Sequence, residues 1–522
     1  MAANTGATSC RSTEECMAQA AAIQGKVDGV ATSPVAKAQD FFYWVGRINM
    51  ASTVVGAERG ILPKDQVSTI ARGVAHSIEQ GARPDGKRPT DVLQIEKIIT
   101  DEAGQQASLI HSGRSRQDMH ATMDAARLRT AMLDLAERLD EVRARMLDLA
   151  TEHVETFVPA YTNGVQAMPI SLAHYLLAFH ESFGRDAQRI REAWPRINRS
   201  ALGTAVLANS SWPLDRERLA TLLGFDAPIV NSYDAGQIST YDIPIEAAGI
   251  AGSIAIRVGA LMQDLHVQYH QVRPWILLDR GKTYTSSAMP QKANPGIIQN
   301  TRGKASDVVA SAQAVTLRAH NVTPGMTDYK RAWDERGART FVLGVDMLRM
   351  TADTLAALRI DPQRALEELE SEWTTSMELA ETLQRQHAVP FRVGHHFASE
   401  VVVHAREKGY RPKEFPYSEA VKIYAESLKD STGADGASVA GPDRLPLDEG
   451  AFRDALSPAH MVRTRVGLGG PQPDEVRRML AEAQQALDRD RDWLAQRRTQ
   501  LAQAEAVLNG AFESLLEPQG KR

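Results

Sequence analysis

The chain has 522 residues, 43% hydrophobic and 24% charged, with a formal net charge of −5. That is a soluble globular composition, long enough for roughly two to four domains with ample core, and its acidic balance argues against a nucleic-acid partner. Neither a signal peptide nor a membrane-spanning run of about 20 apolar residues is expected, and with Cys10 and Cys16 as the only cysteines a disulfide framework or zinc cluster is not expected either, so a cytoplasmic location is the default.

In chain order, residues 1–37 read as a partly ordered leader rich in Ala, Thr and Ser. Residues 38–118 hold short helical stretches broken by Gly60, Pro63 and the Gly81–Gly86 run, and are assigned to an N-terminal helical domain. The pattern then lengthens. Leu128, Met132, Leu135, Leu139, Val142, Met146 and Leu149 recur in alternating steps of four and three, the period of a helix burying one stripe. A helix over 122–156 would be about 50 Å long, a length typical of bundles and often shared between subunits. Similar patterns over 169–194, 244–272, 297–320 and 334–357 fill a central long-helix bundle domain, 119–370. Pro390, Pro412, Pro416 and the segment Thr432–Pro442 then break a C-terminal helical domain, 371–522, into short pieces before a last amphipathic helix over 474–506. Alternating β-branched runs are scarce, so the predicted class is all-α.

Five stretches carry polar chemistry. His111-Ser-Gly-Arg-Ser-Arg-Gln-Asp118 clusters two arginines, two hydroxyls and an amide ahead of the first long helix; arginine matches carboxylates bidentately, so this is a candidate anion site. Tyr161–Pro169 reads as a loop of hydroxyls and amides between two long helices. His266-Val-Gln-Tyr-His270 has metal-like histidine spacing but lacks the Glu of a zinc motif and a third ligand, so packed or surface histidines are expected there, as at His395-His396. The charged run Asp488–Arg498 reads as a solvated helix face. The most informative stretch is Thr283-Tyr-Thr-Ser-Ser-Ala-Met-Pro-Gln-Lys-Ala-Asn-Pro-Gly296, where Pro290 and Pro295 forbid a regular helix or central strand. A serine can act as base or nucleophile only where its oxyanion is stabilised, and Lys292 could do that or hold a substrate carboxylate.

The Ser-Ser-x-Met-Pro-x-Lys-x-Asn-Pro pattern resembles the third signature of the fumarase/aspartase superfamily. His111–Asp118 and Tyr161–Pro169 resemble its first and second signatures. Val389-Pro-Phe-Arg392 and Val462–Pro473 narrow the resemblance to argininosuccinate lyase, over about residues 40–485. The resemblance implies an all-α, three-domain fold whose long helices form one central bundle of about 20 helices in a homotetramer, with each active site shared by three subunits. It implies anti β-elimination of a succinyl-amine to fumarate with no metal or organic cofactor. Ser286 would be the base; Ser287, Lys292 and Asn294 would hold the carboxylates and the aci-acid; Ser115, Arg116, Gln117 and Thr162 would complete the succinyl clamp.

The pattern departs from the family at the leaving-group side. Asn163 stands where the second signature has His, and Gln299 where its Glu partner would be; an Asn–Gln pair orients but cannot deliver a proton near neutral pH. Val92 and Gln94 replace an expected His and Asn, and Gly325, Lys330 and Trp333 replace the Tyr, Gln and Lys that would grip an arginine moiety. Argininosuccinate is therefore not the expected substrate. Lys330, with Arg331, suits a second acidic group on the amine, as in the aminopolycarboxylate lyases that cleave N-substituted aspartates such as ethylenediamine disuccinate. The alternatives are a catalytically silent, crystallin-like protein, and a carbon–oxygen lyase or cycloisomerase on the same fold.

Overall fold

The structure, a computed structural model, describes residues 39–326, 335–430 and 442–517. The leader, Cys10, Cys16, Lys330, Arg331 and Trp333 lie outside them.

An aspartate begins the first helix. Asp40 accepts the Tyr43 N–H at 2.9 Å and starts α1 (Phe41–Glu58), one of the side-chain caps that satisfy a helix's free N–H groups. There follow α2 (Val67–Ala82), α3 (Val92–Ala103) and the long α4 (Arg116–Glu152). A hairpin of β1 (Phe157–Thr162) and β2 (Val165–Ser171) leads into α5 (Leu172–Ile197). Next come β3 (Arg199–Ser200), α6 (Arg216–Leu222), β4 (Ala227–Pro228), a π-turn over Asp234–Ile238 and α7 (Ser239–Tyr269). The strands β5 (Ile276–Leu278), β6 (Tyr284–Thr285) and β7 (Ala293–Asn294) precede α8 (Gly296–Ala319), α9 (Glu335–Ala357) and β8 (Leu358–Ile360). The remainder is α10 (Pro362–Ser371), α11 (Ser376–His387), α12 (Phe391–Lys408), α13 (Tyr417–Asp430), α14 (Glu449–Ala455), α15 (Pro458–Thr464) and α16 (Pro473–Glu513). Among the described residues the strands pair only two by two: β1–β2 and β6–β7 are hairpins, while β3–β4 and β5–β8 join strands separated by helices.

The fold is all-α, built on a central layer of long helices. Six of the seven heptad positions on α4 are fully buried, and Leu149 packs half-buried against the same core, shared with α5, α7, α8, α9 and α16. Separate apolar clusters gather around α1–α3 and around α11–α14. The last helix crosses between regions: Val476 and Leu487 fill the central core, Leu508 and Phe512 the N-terminal one.

Three expectations are corrected. Tyr161–Pro169 is not an irregular loop but most of the β1–β2 hairpin, which alternation alone failed to flag because Pro159, Pro169 and the small residues dilute it. Asp488–Arg498 is not simply a solvated face: Asp490 is 6% exposed and meets Arg143 at 2.6 Å as well as Arg191, so α16 is clamped to α4 and α5 by buried charge. And the segment Asp234–Tyr269 is long and apolar enough to cross a membrane by composition; in this chain it lies in the bundle, with Ile254, Val258, Leu261 and Leu265 in the central core.

Candidate active site

The first motif caps α4. Asp118, fully buried, accepts the Ser115 N–H at 2.7 Å on one oxygen and the N–H groups of Gly203, Thr204 and Ala205 at 3.1, 2.9 and 3.2 Å on the other. Burial pushes its carboxyl above the ordinary range while those N–H groups pull it back. The sequence pattern offered Asp118 only as the motif's last residue; the structure makes it the pin that fixes the loop 203–205 to the helix start. The two arginines also separate. Arg114 is buried and donates to Ser52 Oγ and Asn49 Oδ1, both at 2.6 Å, with burial pushing it down to about 10; it is a framework residue. Arg116 is 54% exposed on its side chain and lies 3.5 Å from Asp91, the N-cap of α3, which brings the Val92–Gln94 stretch beside the motif. Gln117 donates to the Gly236 carbonyl at 3.0 Å, on the π-turn ahead of α7.

The second motif is the hairpin tip. Thr162 and Asn163 are exposed, and Asn163 and Gly164 have φ of 51° and 76°, the left-handed pair a two-residue hairpin turn demands and Asn-Gly supplies. Asn163 thus has a backbone reason to be there. Below the tip, Tyr161 donates to Glu368 Oε1 at 2.8 Å and Gln166 Nε2 donates to the same oxygen at 2.7 Å. Glu368, on α10, is 6% exposed, and burial with this carboxylate beside it raises the Tyr161 phenol to about 12.

The third motif is also a hairpin, β6–β7, with Ser286–Lys292 as its loop. Asn294 Nδ2 donates across the stem to the Tyr284 carbonyl at 3.0 Å. At the far side of the stem Gly296 packs closely: a Cβ there would meet the Tyr284 ring at 2.9 Å. Within the loop the N–H groups of Ala288 and Met289 donate to Ser286 Oγ at 3.3 and 3.2 Å. Ser287 and Lys292 are exposed, Ser286 and Asn294 half-buried, and Gln299 is half-buried on the first turn of α8. Among the described residues no hydrogen bond joins Gln299 to Asn163.

The helices set the distances between motifs. Ser115 precedes the 37-residue α4 and the second hairpin follows it, so the two lie at opposite ends of a rod about 55 Å long at 1.5 Å per residue. α7 runs parallel to that rod: its π-turn meets Gln117 at one end, and at the other Gln268 accepts from the Tyr161 hydroxyl at 3.5 Å. Since β6–β7 follows α7, the second and third motifs share one end of the bundle and the first motif occupies the other. α8 returns along the bundle, and Gly325 beyond it faces Gln237, where an added Cβ would lie 3.4 Å from the side-chain oxygen, which places Gly325 at the first-motif end. One chain does not unite the three motifs.

The first part of the chain, residues 73–310, matches the Lyase family, and residues 373–463 match the argininosuccinate lyase C-terminal family. The chain is 30% identical over 479 residues to the argininosuccinate lyase of Methanosarcina barkeri, covering 90% of this chain and 91% of that protein. The chain belongs to the argininosuccinate lyase branch of the fumarase/aspartase superfamily. Its Geobacillus relative is 31% identical over 436 residues, 82% of this chain and 89% of that enzyme. Among solved structures, a variant of EDDS lyase with bound fumarate superposes with a TM-score of 0.79 at 27% identity, covering 91% of this chain and 92% of that one. The class II fumarase of Schistosoma mansoni shares the fold, with a TM-score of 0.62 at 14% identity over 80% of this chain and 90% of that one. The argininosuccinate lyase-like protein is a carbon–nitrogen lyase. No cluster of three or more metal-binding side chains occurs among its described residues.

Proposed function

We propose that the enzyme catalyses the reversible anti β-elimination of an N-substituted L-aspartate to fumarate and an amine, with an amine other than that of argininosuccinate. The observation that carries the reading is the pair of backbone N–H groups, Ala288 and Met289, aimed at Ser286 Oγ. Hydrogen bonds donated to an oxygen favour its ionised form, which is what a serine needs to serve as a base. Ser286 takes the proton from the succinyl carbon α to the distal carboxylate. The electron pair left behind spreads into that carboxylate as an aci-dianion, stabilised by the Lys292 ammonium and by Ser287 and Asn294 donors. The pair then forms the double bond as the carbon–nitrogen bond breaks.

Asn163 and Gln299 supply no proton, and none is needed when the leaving nitrogen is a substituted ammonium. With a pKa near 10, as for an alkylamine, it departs as neutral amine carrying its own hydrogens. The carboxylate of the succinyl unit nearest the nitrogen is assigned to Arg116 with Ser115, Gln117 and Thr162, and the amine substituent to Asn163 and, outside the described residues, to Lys330. Since one chain keeps Arg116 a helix length from Ser286, the site forms between copies of the chain, and we propose the shared homotetramer. A variant of EDDS lyase, which the structure resembles, holds bound fumarate, which supports fumarate as the dicarboxylate of this site.

The test is a screen in the amination direction, fumarate with a panel of amines and amino acids, read by loss of fumarate absorbance. Wild-type protein consumes fumarate with at least one amine and Ser286→Ala does not, while both keep the same oligomeric mass. Wild-type turnover in Ser286→Ala would overturn the base; hydration of fumarate without amine would move the enzyme to carbon–oxygen chemistry.

A further inference from the structure

His266-Val-Gln-Tyr-His270 invites reading as a metal site, yet its first histidine is engaged elsewhere. His266 Nδ1 lies 3.2 Å from an Arg302 guanidinium nitrogen, and burial with that positive charge lowers its pKa. The residues between the histidines are the ones that reach the site. Gln268 is 5% exposed, accepts from Tyr161 and receives a 3.0 Å hydrogen bond from Gln271 Nε2. Its neighbour Tyr269 turns to the other hairpin: the Tyr269 hydroxyl donates to the Ala293 carbonyl at 2.8 Å. Ala293 sits between Lys292 and Asn294, so that one bond anchors the strand that carries Asn294 and follows Lys292.

We propose that Tyr269 is a positioning residue for the serine-bearing hairpin. The inference rests on the lyase reading above and deepens it. The stem of β6–β7 is only two residues per strand, too short to hold a seven-residue loop in one orientation by its own ladder, since isolated hairpins are marginal in water. Two side-chain bonds supplement it. Asn294 to the Tyr284 carbonyl closes the stem on itself, while Tyr269 ties the stem to α7, whose preceding residue is buried in the framework. The loop can then move about a fixed footing, with Ser286 and Lys292 returning to the same place each time it closes over substrate.

Tyr269→Phe keeps the ring and deletes one hydroxyl, and the hydroxyl makes its bond at the surface, so the fold survives. The expected result is a fall in kcat of about tenfold with KM within about twofold of wild type, because a misplaced base costs the transition state more than the bound substrate. Amide hydrogen exchange over residues 284–294 rises at the same time, with the rest of α7 unchanged. Exchange indistinguishable from wild type overturns the proposal, as does faster exchange with unaltered kcat. The exchange measurement needs no substrate. A chain that consumes no fumarate with any amine defeats the lyase reading, and the exchange then decides separately whether Tyr269 holds the hairpin.

Discussion

The two ends of the long-helix bundle are built on opposite plans. At the first-motif end the polar groups are consumed inside the chain: Asp118 takes four backbone N–H groups, Arg114 binds two side chains of α1, and Gln117 binds the π-turn. At the other end two hairpins carry Thr162, Asn163, Ser287 and Lys292 into solvent. A hydrogen-bonded first-motif end and a pair of projecting, polar-tipped hairpins lie at opposite ends of a helix roughly 55 Å long, which keeps them apart within one chain. On the proposed reading, catalytic competence is a property of association. Mixing Arg116→Ala with Ser286→Ala breaks or confirms this directly. Each variant alone is expected to lose about 10³-fold in kcat/KM, the size of a lost base or charge anchor. Subunits reassociated together regain a measurable fraction, because some sites receive an intact motif from each parent. Mixtures as inactive as their parents would mean that the ends do not meet across chains.

At the first-motif end, two arginines separated by one residue should respond in opposite ways. Arg114→Met leaves Ser52 and Asn49 without their donor in a buried place and should cost about 3 kcal/mol in unfolding free energy, read by denaturant titration. Arg116→Met removes an exposed guanidinium, so its stability should stay within about 0.5 kcal/mol of wild type while KM rises. Equal destabilisation by the two would erase the distinction between framework and ligand.

How much of this could be read in advance follows from the kind of signal each element sends. The heptad stripe of α4 is a repeated local pattern, and the five long helices it heralded lie within a few residues of their expected limits. The Ser286–Lys292 loop was legible because two prolines and a dense set of polar side chains exclude everything else. The hairpin character of both loops was not, since one stem is proline-containing and the other two residues long. Asn163-Gly164 was the missed clue. Glu368 and Tyr269 gave no signal at all: their roles depend on partners 207 and 24 residues away, and no local spacing encodes such a contact. Asp490 misled for the same reason, its burial being set by Arg143 on a helix 347 residues earlier.

The middle of the bundle, between the two ends, should be sensitive to acid, as is His111 at the first-motif end, which burial and the Arg114 charge also hold down to about 3. His180, 2% exposed with its Nε2 unpartnered, is held down to about 3 by burial and by the nearby Arg143 charge. The unfolded chain protonates this histidine first, so its contribution is complete above pH 6.5 and is lost as pH falls from 6.5 toward 3. At pH 5.5 the loss is about 1.4 kcal/mol. Asp140 in the same cluster works the other way. Burial lifts it to about 6, so the folded state takes up that proton first and gains stability as pH falls through 6. In His180→Phe only the second effect remains in this cluster, and the thermal midpoint should fall less between pH 7 and 5 than in wild type. An unchanged pH slope would show that His180 does not titrate with unfolding.

The smallest effect, and the sharpest for the hairpin end, comes from Asn163. A β-branched residue at φ 51° is strained, so Asn163→Val should cost about 1 kcal/mol and loosen the turn. Histidine tolerates the left-handed region better than most residues, so Asn163→His should keep the hairpin within about 0.5 kcal/mol while restoring an acid at the tip. If the amine leaves already protonated, that histidine has nothing to donate. The kcat with the best amine from the screen should then stay within about twofold, and no new acidic limb should enter the pH–rate profile. A rate gain that titrates near pH 6.5 would mean that a proton donor limits the native enzyme, and that the hairpin tip acts in catalysis rather than in substrate selection.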